Sequence, residues 1–181
     1  MDISSFKDVA ETSKRFENSE LGKNARMVDR PTSEYAKPFD MRNNLTTRNA
    51  DLAGKNHPET GVPYERKSVE NQDGKPEDGV FPVFDSTRDV QLPEDLHKAS
   101  DAKQFAECNR QLKDGVEKDP ELAKKFTPEQ LEQIKNGDTP DGYTWHHNEE
   151  TGKMQLVDSE THAKSAHTGG KAIWGGGQEN R

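Results

Sequence analysis

Apolar side chains are scarce in this chain. They make up 28% of its 181 residues, charged residues make up 33%, and the mean hydropathy is −1.21. A typical globular domain is about half apolar, so the composition predicts either a poorly ordered part of the chain or a small core that needs help. A bound metal ion would supply such help, because the free energy of ligation adds to that of folding.

Cysteine is almost absent, and Cys108 is the single thiol. One cysteine excludes an internal disulfide and a cysteine-based zinc site, and the helical pattern around Cys108 predicts a buried structural thiol. No run approaches the ~20 apolar residues of a membrane span. The opening stretch, MDISSFKDVAETSKR, lacks the apolar region of a secretory signal, so we expect export only as part of something larger.

An excess of basic charge is also missing. The formal net charge is −8, and residues 61–140 hold 18 acidic against 12 basic residues. This balance argues against broad electrostatic attraction to nucleic acid. It still permits a metal-centred enzyme that touches only a few phosphates. We expect the acidic part to be a solvated face or a face that a basic partner covers.

The first half of the chain gives few signals. We interpret residues 1–52 as a lead-in or delivery-associated segment. Apolar residues then alternate as in a strand: Val62, Tyr64 and Val69. Residues 71–79 form an expected polar loop, and residues 80–84 (VFPVF) a short strand that Pro82 restricts to a sheet edge.

Helical periodicity marks residues 92–137. Apolar side chains recur there at spacings of three and four: Phe105, Cys108, Leu112 and Val116. Ser100 is the expected N-cap of this helix, and Asp119-Pro120 ends it. Thr127 begins a further helix, with Pro128 in its first turn and Gln130 closing a capping box. We expect the apolar positions of both helices to pack in the core.

Histidine and tryptophan are concentrated near the C-terminus. Four of the six histidines and both tryptophans lie within residues 141–177: His146, His147, His162, His167, Trp145 and Trp174. Histidine is the commonest transition-metal ligand and the commonest general base near neutral pH. The concentration therefore indicates a metal or proton-transfer site, whereas the tryptophans are expected in the core.

The same stretch predicts two strands and a helix. Residues 143–147 and 154–157 are the strands, joined by a turn, and Asp158 or Ser159 caps a helix that carries His162. Gly169-Gly170 is expected to terminate that helix. The predicted fold class is α+β, with a C-terminal ββα unit supported by helices and an irregular N-terminal part.

Strand geometry separates the adjacent histidines. Neighbours on a strand point to opposite faces, so His146 and His147 are not expected to ligate the same ion. One of them would join His162 and His167 as a ligand, and the other would act as a base, which suits in-line attack on a phosphodiester. His162 and His167 lie about 140° apart on an ideal helix, so we expect the helix to end or loosen before His167.

Several motifs carry a specific resemblance. They are GYTWHH at 142–147, GKMQLV at 152–157, His162, and HTGG at 167–170 followed by Trp174-Gly175. Together they resemble the Trp-His-His branch of the HNH/endonuclease VII (ββα-metal, or His-Me finger) nuclease superfamily. The resemblance implies a nuclease domain over residues 53–181 with a ββα-metal core at 141–177, and a metal-dependent endonuclease that hydrolyses phosphodiester bonds in DNA.

The resemblance also implies roles for individual residues. It makes His147 the general base that activates water, and His146, His162 and His167 the metal ligands. Gln155 stands where many members of the superfamily have an Asn that orients the catalytic loop, so the sequence departs from the general pattern there. We keep Gln155 as a candidate catalytic residue.

Ligands and biological context complete the expectations. Three neutral imidazoles suit Zn, Ni or Mn better than Mg, so one divalent ion is expected, with zinc first. Lys153 and Lys171 are candidate phosphate contacts, although surface lysines are often only solvated. The Trp-His-His branch commonly forms the tip of polymorphic toxins of the contact-dependent inhibition, Rhs and LXG types. The resemblance thus implies part of a larger secreted effector that acts in the target-cell cytoplasm and is neutralised by a cognate immunity protein.

Two alternatives stay open. The histidines could form a structural zinc site in a metal-stabilised binding module that performs no chemistry. Structural zinc sites are closed and often thiolate-rich, whereas here a further histidine accompanies the expected ligands. An RNase of the same fold is the other alternative, and the sequence does not separate RNA from DNA as substrate.

Overall fold

Two antiparallel sheets and five helices build the part of the chain that the computed structural model describes, residues 44–71 and 73–180. The strands are β1 (Lys55–Asn56), β2 (Pro63–Glu70), β3 (Pro76–Pro82), β4 (Ser86–Gln91), β5 (Tyr143–His147) and β6 (Lys153–Asp158). The helices are α1 (Asp101–Lys118), α2 (Pro120–Ala123), α3 (Pro128–Asn136), α4 (Ser159–Lys164) and α5 (Gly170–Ile173). The predicted α+β class is confirmed, and most of the predicted lead-in lies outside the described residues.

The first sheet has the order β1-β2-β3. The predicted alternation holds for Val62 and Tyr64, which are both buried in one apolar cluster, but Val69 lies five residues from Tyr64 and is buried in the other cluster, on the opposite face of β2. Strand β3 lies at the sheet edge, as predicted, but it ends at Pro82, so Val83 and Phe84 lie outside the predicted strand over residues 80–84. The expected loop over residues 71–79 is too long, because β3 begins at Pro76. Its first residues are polar yet pair with β2, which a sheet with one solvated face allows.

The second sheet has the order β4-β6-β5. The predicted hairpin is present, with His146 opposite Gln155 and His147 opposite Met154. Strand β4 pairs with β6 and makes the sheet three-stranded. The sequence did not predict this third strand of the sheet.

Helix α1 packs behind the second sheet. Cys108 and Leu112 are fully buried on its inner face, so the structural reading of the thiol is confirmed. Burial raises the pKa of the Cys108 thiol to about 12. The capping box of α3 is also confirmed: Gln130 N donates to Thr127 Oγ1 at 3.2 Å, and Thr127 N donates to Gln130 Oε1 at 2.9 Å.

The stretch after β6 departs from the prediction in one respect. Asp158 caps α4 by accepting from Thr161 N at 2.7 Å, and α4 ends at Lys164, before His167, as expected. Gly169-Gly170 does not terminate this helix, because Gly170 is the first residue of α5. A Cβ at Gly170 would lie 1.9 Å from Asn148 O. A close backbone contact therefore requires this glycine, whereas the sequence indicated a helix stop.

Residues 44–53 run along the loop that follows α4. Asn49 adopts a left-handed backbone (φ 64°), and its Nδ2 donates to Ala166 O at 2.5 Å. The hydroxyl of Tyr64 donates to the same carbonyl at 3.0 Å, and Arg48 N donates to Thr168 Oγ1 at 3.0 Å. Part of the segment that the sequence placed in the lead-in thus holds the loop that carries His167.

Candidate metal centre

Three histidines from separate elements converge on one point. His146 lies on β5, His162 on α4, and His167 in the loop after α4. Each offers one ring nitrogen, and these nitrogens lie within 4.8 Å of one another. His146 Nδ1 is 3.3 Å from His162 Nε2 and 3.2 Å from His167 Nε2. The predicted ligand set is therefore close enough in space to hold one cation.

The aromatic ring of Phe84 forms one wall of this cluster. Its centroid lies 4.8 Å from that of His146 and 5.4 Å from those of His162 and His167. Phe84 comes from the short segment between β3 and β4, and it is buried. An apolar wall beside three imidazoles restricts their ring orientations and lowers the local dielectric.

The positions of the protons on the three imidazole rings are compatible with a bound cation. His167 Nδ1 lies 2.6 Å from Ser165 O. A carbonyl only accepts, so Nδ1 carries the proton and Nε2 presents its lone pair to the cluster. His146 Nδ1 faces both other rings and could donate at most one proton between them. The cluster thus has more lone pairs than protons to share, and a divalent ion bonded to the three nitrogens would satisfy all of them.

Burial keeps these rings neutral. It lowers the pKa of His146 well below its usual range, and the nearby His167 and His162 rings lower it further. Burial also lowers the pKa of His162 to about 4 and is the largest cause of the lowered pKa of His167. Neutral imidazole is the form that binds a metal, so the cluster is ready to take up a cation at pH 7.

His147 lies on the opposite face of β5, as strand geometry predicts. Its Nε2 is 2.8 Å from Gln104 Oε1 and 3.8 Å from Asp101 Oδ1. Its ring centroid is 5.7 Å from that of Phe105 and 5.6 Å from that of Trp174. The side chain is therefore held by α1 and by the segment that follows α5.

One cavity of about 330 Å³ joins the two faces of the strand. It is lined by all four histidines of the C-terminal segment and by their neighbours: Trp145, His146, His147, His162, His167, Thr168, Gly169, Lys171 and Ala172. The three clustered histidines and His147 therefore line the same cavity. The structure thus brings the predicted base and the predicted ligands to a shared space.

Gln155 lies next to this centre without lining the cavity. It is buried opposite His146 on β6. Its Oε1 accepts from Asn148 Nδ2 at 2.9 Å, and its Nε2 donates to Asp89 Oδ1 at 3.1 Å. Gln155 thus ties the residue after His147 to β4. Its catalytic role stays a prediction.

The two candidate phosphate contacts have different surroundings. Lys153 is part-exposed and lies 3.3 Å from Glu150 Oε2 and 3.6 Å from Asp89 Oδ2. The expectation of a surface lysine is wrong for Lys171, which is buried and lines the cavity. The Nζ of Lys171 lies 2.8 Å from Asp101 Oδ1. The lysine is therefore part of the polar network that contacts His147. Contact of either lysine with substrate stays a prediction.

Some residues that support the site were not predicted from the sequence. Gln104 is fully buried and bonds His147. It falls on the face of α1 that carries Cys108 and Leu112, so a polar residue on an apolar stripe was the available signal. Glu149 is 1% exposed and pairs with Lys67 Nζ at 2.5 Å. Nothing in the sequence links these last two residues, because Lys67 lies on β2 and Glu149 lies in the turn between β5 and β6.

The fold and the site define the class first: an α+β domain with a candidate three-histidine metal centre beside a further buried histidine. The comparisons define the family. A family model, Colicin-DNase, described as the DNase/tRNase domain of colicin-like bacteriocin, matches residues 73–169, more than half of the chain. The chain belongs to this family and is a nuclease toxin domain. No curated protein and no solved structure matches the chain significantly.

Family membership fits several coarser expectations. It implies a nuclease, hence a hydrolase, and it fits a nucleic-acid substrate, an immunity-protein partner and a secreted effector. The three clustered histidines are consistent with a metal-dependent family. Within the described residues, none of the helices has the length and apolar character needed to cross a membrane.

Proposed function

We propose that the chain is a metal-dependent endonuclease of the HNH/endonuclease VII type, in its Trp-His-His branch. His146, His162 and His167 hold one divalent ion, and His147 is the general base. One observation carries the proposal: the three ligand nitrogens lie within 4.8 Å of one another in a cavity that His147 also lines. Zinc is the proposed ion, with nickel, manganese and magnesium as alternatives.

Each residue of the site has its own proposed role in phosphodiester hydrolysis. A bound divalent cation would neutralise charge on the phosphate and on the leaving oxygen. His147 accepts the proton of the attacking water from the other face of β5. Gln155 holds the turn after β5 through Asn148, which keeps the His147 backbone in place. Lys153 is a proposed phosphate contact, and Lys171 adds positive charge to the cavity wall.

DNA is the proposed substrate, and RNA is the second candidate. The family description names both DNase and tRNase, which favours keeping both. Incubation of the metal-loaded protein with plasmid and, separately, with tRNA distinguishes them. We expect nicking of plasmid at enzyme concentrations that leave tRNA intact. Cleavage of tRNA alone would overturn the DNA proposal and support the RNase.

The proposed context is interbacterial. The chain acts as part of a larger secreted effector, cuts nucleic acid in the target-cell cytoplasm, and is neutralised by a cognate immunity protein. Residues 61–140 carry an excess of acidic side chains. Such a surface favours a partner whose contact face is basic.

A single substitution tests the proposed base. We expect His147→Ala to bind zinc with unchanged stoichiometry while plasmid cleavage falls by about 10²–10⁴-fold, the usual contribution of general acid–base catalysis. His57→Ala is the matched control, because His57 lies outside the cavity, and it should cleave at the wild-type rate. Normal cleavage by a folded, zinc-loaded His147→Ala protein would remove His147 from the mechanism.

The alternative without catalysis is a metal-stabilised binding module. It predicts that a chelator unfolds the protein and that plasmid stays intact with every divalent ion tested. The endonuclease predicts nicking that the chelator abolishes and that added metal restores. A plasmid assay with zinc, nickel, manganese and magnesium, each with and without chelator, therefore separates the two functions.

A further inference from the structure

The orientation of one buried amide is fixed by the backbone around it. Gln104 is fully buried, and its Nε2 donates to Leu96 O at 2.9 Å and to His97 O at 2.7 Å. Both partners are carbonyls, which only accept, so the amide nitrogen must face them. The amide oxygen of Gln104 therefore points the other way, towards His147 and Lys171.

This orientation determines the tautomer of His147. The Oε1 of Gln104 lies 2.8 Å from His147 Nε2. An amide oxygen accepts and never donates, so the bond requires a proton on Nε2. In a neutral ring the second nitrogen, Nδ1, then holds the lone pair. The nitrogen that can accept a proton is thereby chosen by a side chain of α1.

A buried lysine, paired with the part-exposed Asp101, keeps the amide oxygen in place. Lys171 Nζ donates to Gln104 Oε1 at 3.1 Å and to Ala99 O at 3.1 Å, and it lies 2.8 Å from Asp101 Oδ1. The lysine side chain is only 7% exposed. Reversing the amide of Gln104 would place its NH₂ against the ammonium group, which is repulsive. Helices α1 and α5 thus jointly hold the side chain that contacts His147.

We propose that Gln104, held by Lys171, is a positioning residue that fixes His147 with the proton on Nε2 and the lone pair on Nδ1. This inference rests on the proposed role of His147 as general base. It explains why the polar Gln104 is buried on α1, because a base must present its lone pair to the water that it deprotonates. It also gives Lys171 a task that needs no contact with substrate.

Nitrogen-15 NMR of the imidazole rings tests the tautomer directly. The sample is the zinc-loaded wild-type protein, labelled in histidine and assigned by comparison with His147→Ala. We expect the nitrogen-15 signals of His147 to show a protonated Nε2 and an unprotonated Nδ1. A proton on Nδ1 in the neutral ring would overturn the inference, and the readout does not depend on cleavage.

A variant tests the catalytic consequence. Gln104→Met has similar length and no acceptor, so it should lower kcat for plasmid by about 10–100-fold, as loss of an orienting partner typically does. We expect little change in KM or in zinc stoichiometry, and a mixed tautomer for His147. Gln111→Met is the control, because Gln111 lies on the same helix and bonds Gln91 O outside the cavity. It should behave as wild type.

The outcomes separate this inference from the proposed function. A Gln104→Met protein with the wild-type tautomer and wild-type kcat overturns the inference and leaves His147 as the base. Full cleavage by His147→Ala overturns both. If Gln104→Met does not fold, the tautomer of the wild-type ring decides, because that measurement needs no substitution at position 104.

Discussion

At the residue scale, the site depends on which nitrogen of each imidazole carries its proton. The carbonyl of Ser165 fixes His167 with Nε2 facing the cluster. Strand geometry then places His146 and His147 on opposite faces of β5. Neither ring could take the role of the other without reversing the strand. The backbone contact orients one proposed ligand, and the strand geometry places the proposed ligand His146 and the proposed base His147 on opposite faces.

Asn109 is the residue that ties the helical support to this strand. Its Oδ1 accepts from Trp145 Nε1 at 2.7 Å and from Thr139 Oγ1 at 3.1 Å, and its Nδ2 donates to Gly137 O at 3.0 Å. Trp145 directly precedes His146 and is 3% exposed, which confirms its predicted place in the core. Asn109 thus fixes the strand just before the proposed metal ligand His146.

We predict that Asn109→Ala lowers the free energy of unfolding by about 3 kcal/mol, because it leaves a buried indole N–H and a carbonyl without partners. Urea denaturation monitored by tryptophan fluorescence measures the change. Asn136→Ala, at an exposed position at the end of α3, should shift stability by no more than about 0.5 kcal/mol. Equal midpoints for the two variants would show that the Asn109 network is unimportant.

At the scale of elements, α5 and the tryptophan that follows it lie directly against the β5–β6 turn. Trp174 Nε1 donates to Asn148 O at 2.9 Å, and a Cβ on Gly170 would meet that same oxygen at 1.9 Å. Asn148 follows His147 in the chain. The glycine at the start of α5 thus permits the approach that closes the cavity behind both histidines.

Gly170→Ala should therefore disturb the site. We expect it to cost about 1–3 kcal/mol of stability, as overpacking typically does, and to weaken zinc binding, because backbone atoms must move. Thermal unfolding and zinc titration measure the two effects. Gly115→Ala is the control: its Cβ would meet the end of the Leu122 side chain at 3.1 Å and the guanidinium of Arg88 at 3.6 Å, and no backbone atom is among these contacts. Unchanged zinc affinity in Gly170→Ala would contradict the required close contact.

The elements that the sequence predicted are those with local signals. The capping box at Thr127 and the spacing of Cys108 and Leu112 each span only one or two helical turns. Helices α1 and α3 could therefore be predicted from the sequence. The pairing of β4 with β6 joins residues such as Asp89 and Gln155, which lie far apart in the chain. Alternation cannot specify a partner at that distance. The support of His147 by Gln104 was missed for the same reason.

At the scale of the whole molecule, two apolar clusters and the histidine centre hold together the described part of a chain that is polar in composition. The larger cluster packs α1 and α3 against the second sheet, and the smaller one lies between β2, β3 and β6. The centre joins β5, α4 and the following loop, and the segment at Asn49 holds that loop from outside. A cation bound there would add a further link between β5, α4 and the loop that follows α4.

Removal of the metal should therefore lower stability as well as activity. At a free zinc concentration 100 times the Kd, binding to the folded state alone contributes about 2.7 kcal/mol. We expect a chelator to lower the Tm of the wild-type protein by several degrees and zinc to restore it. The Tm of His162→Ala should respond much less to chelator. An identical response of wild type and His162→Ala would place the stabilising ion elsewhere.

The most direct test of the whole account is X-ray absorption spectroscopy at the zinc edge of the purified, zinc-loaded protein. We predict one zinc per chain, bonded to three imidazole nitrogens at about 2.0–2.1 Å, and loss of that signature in His146→Ala, His162→Ala and His167→Ala but not in His147→Ala. A protein that retains no zinc after gel filtration, or whose imidazole signature survives these three substitutions, would contradict the proposed metal centre.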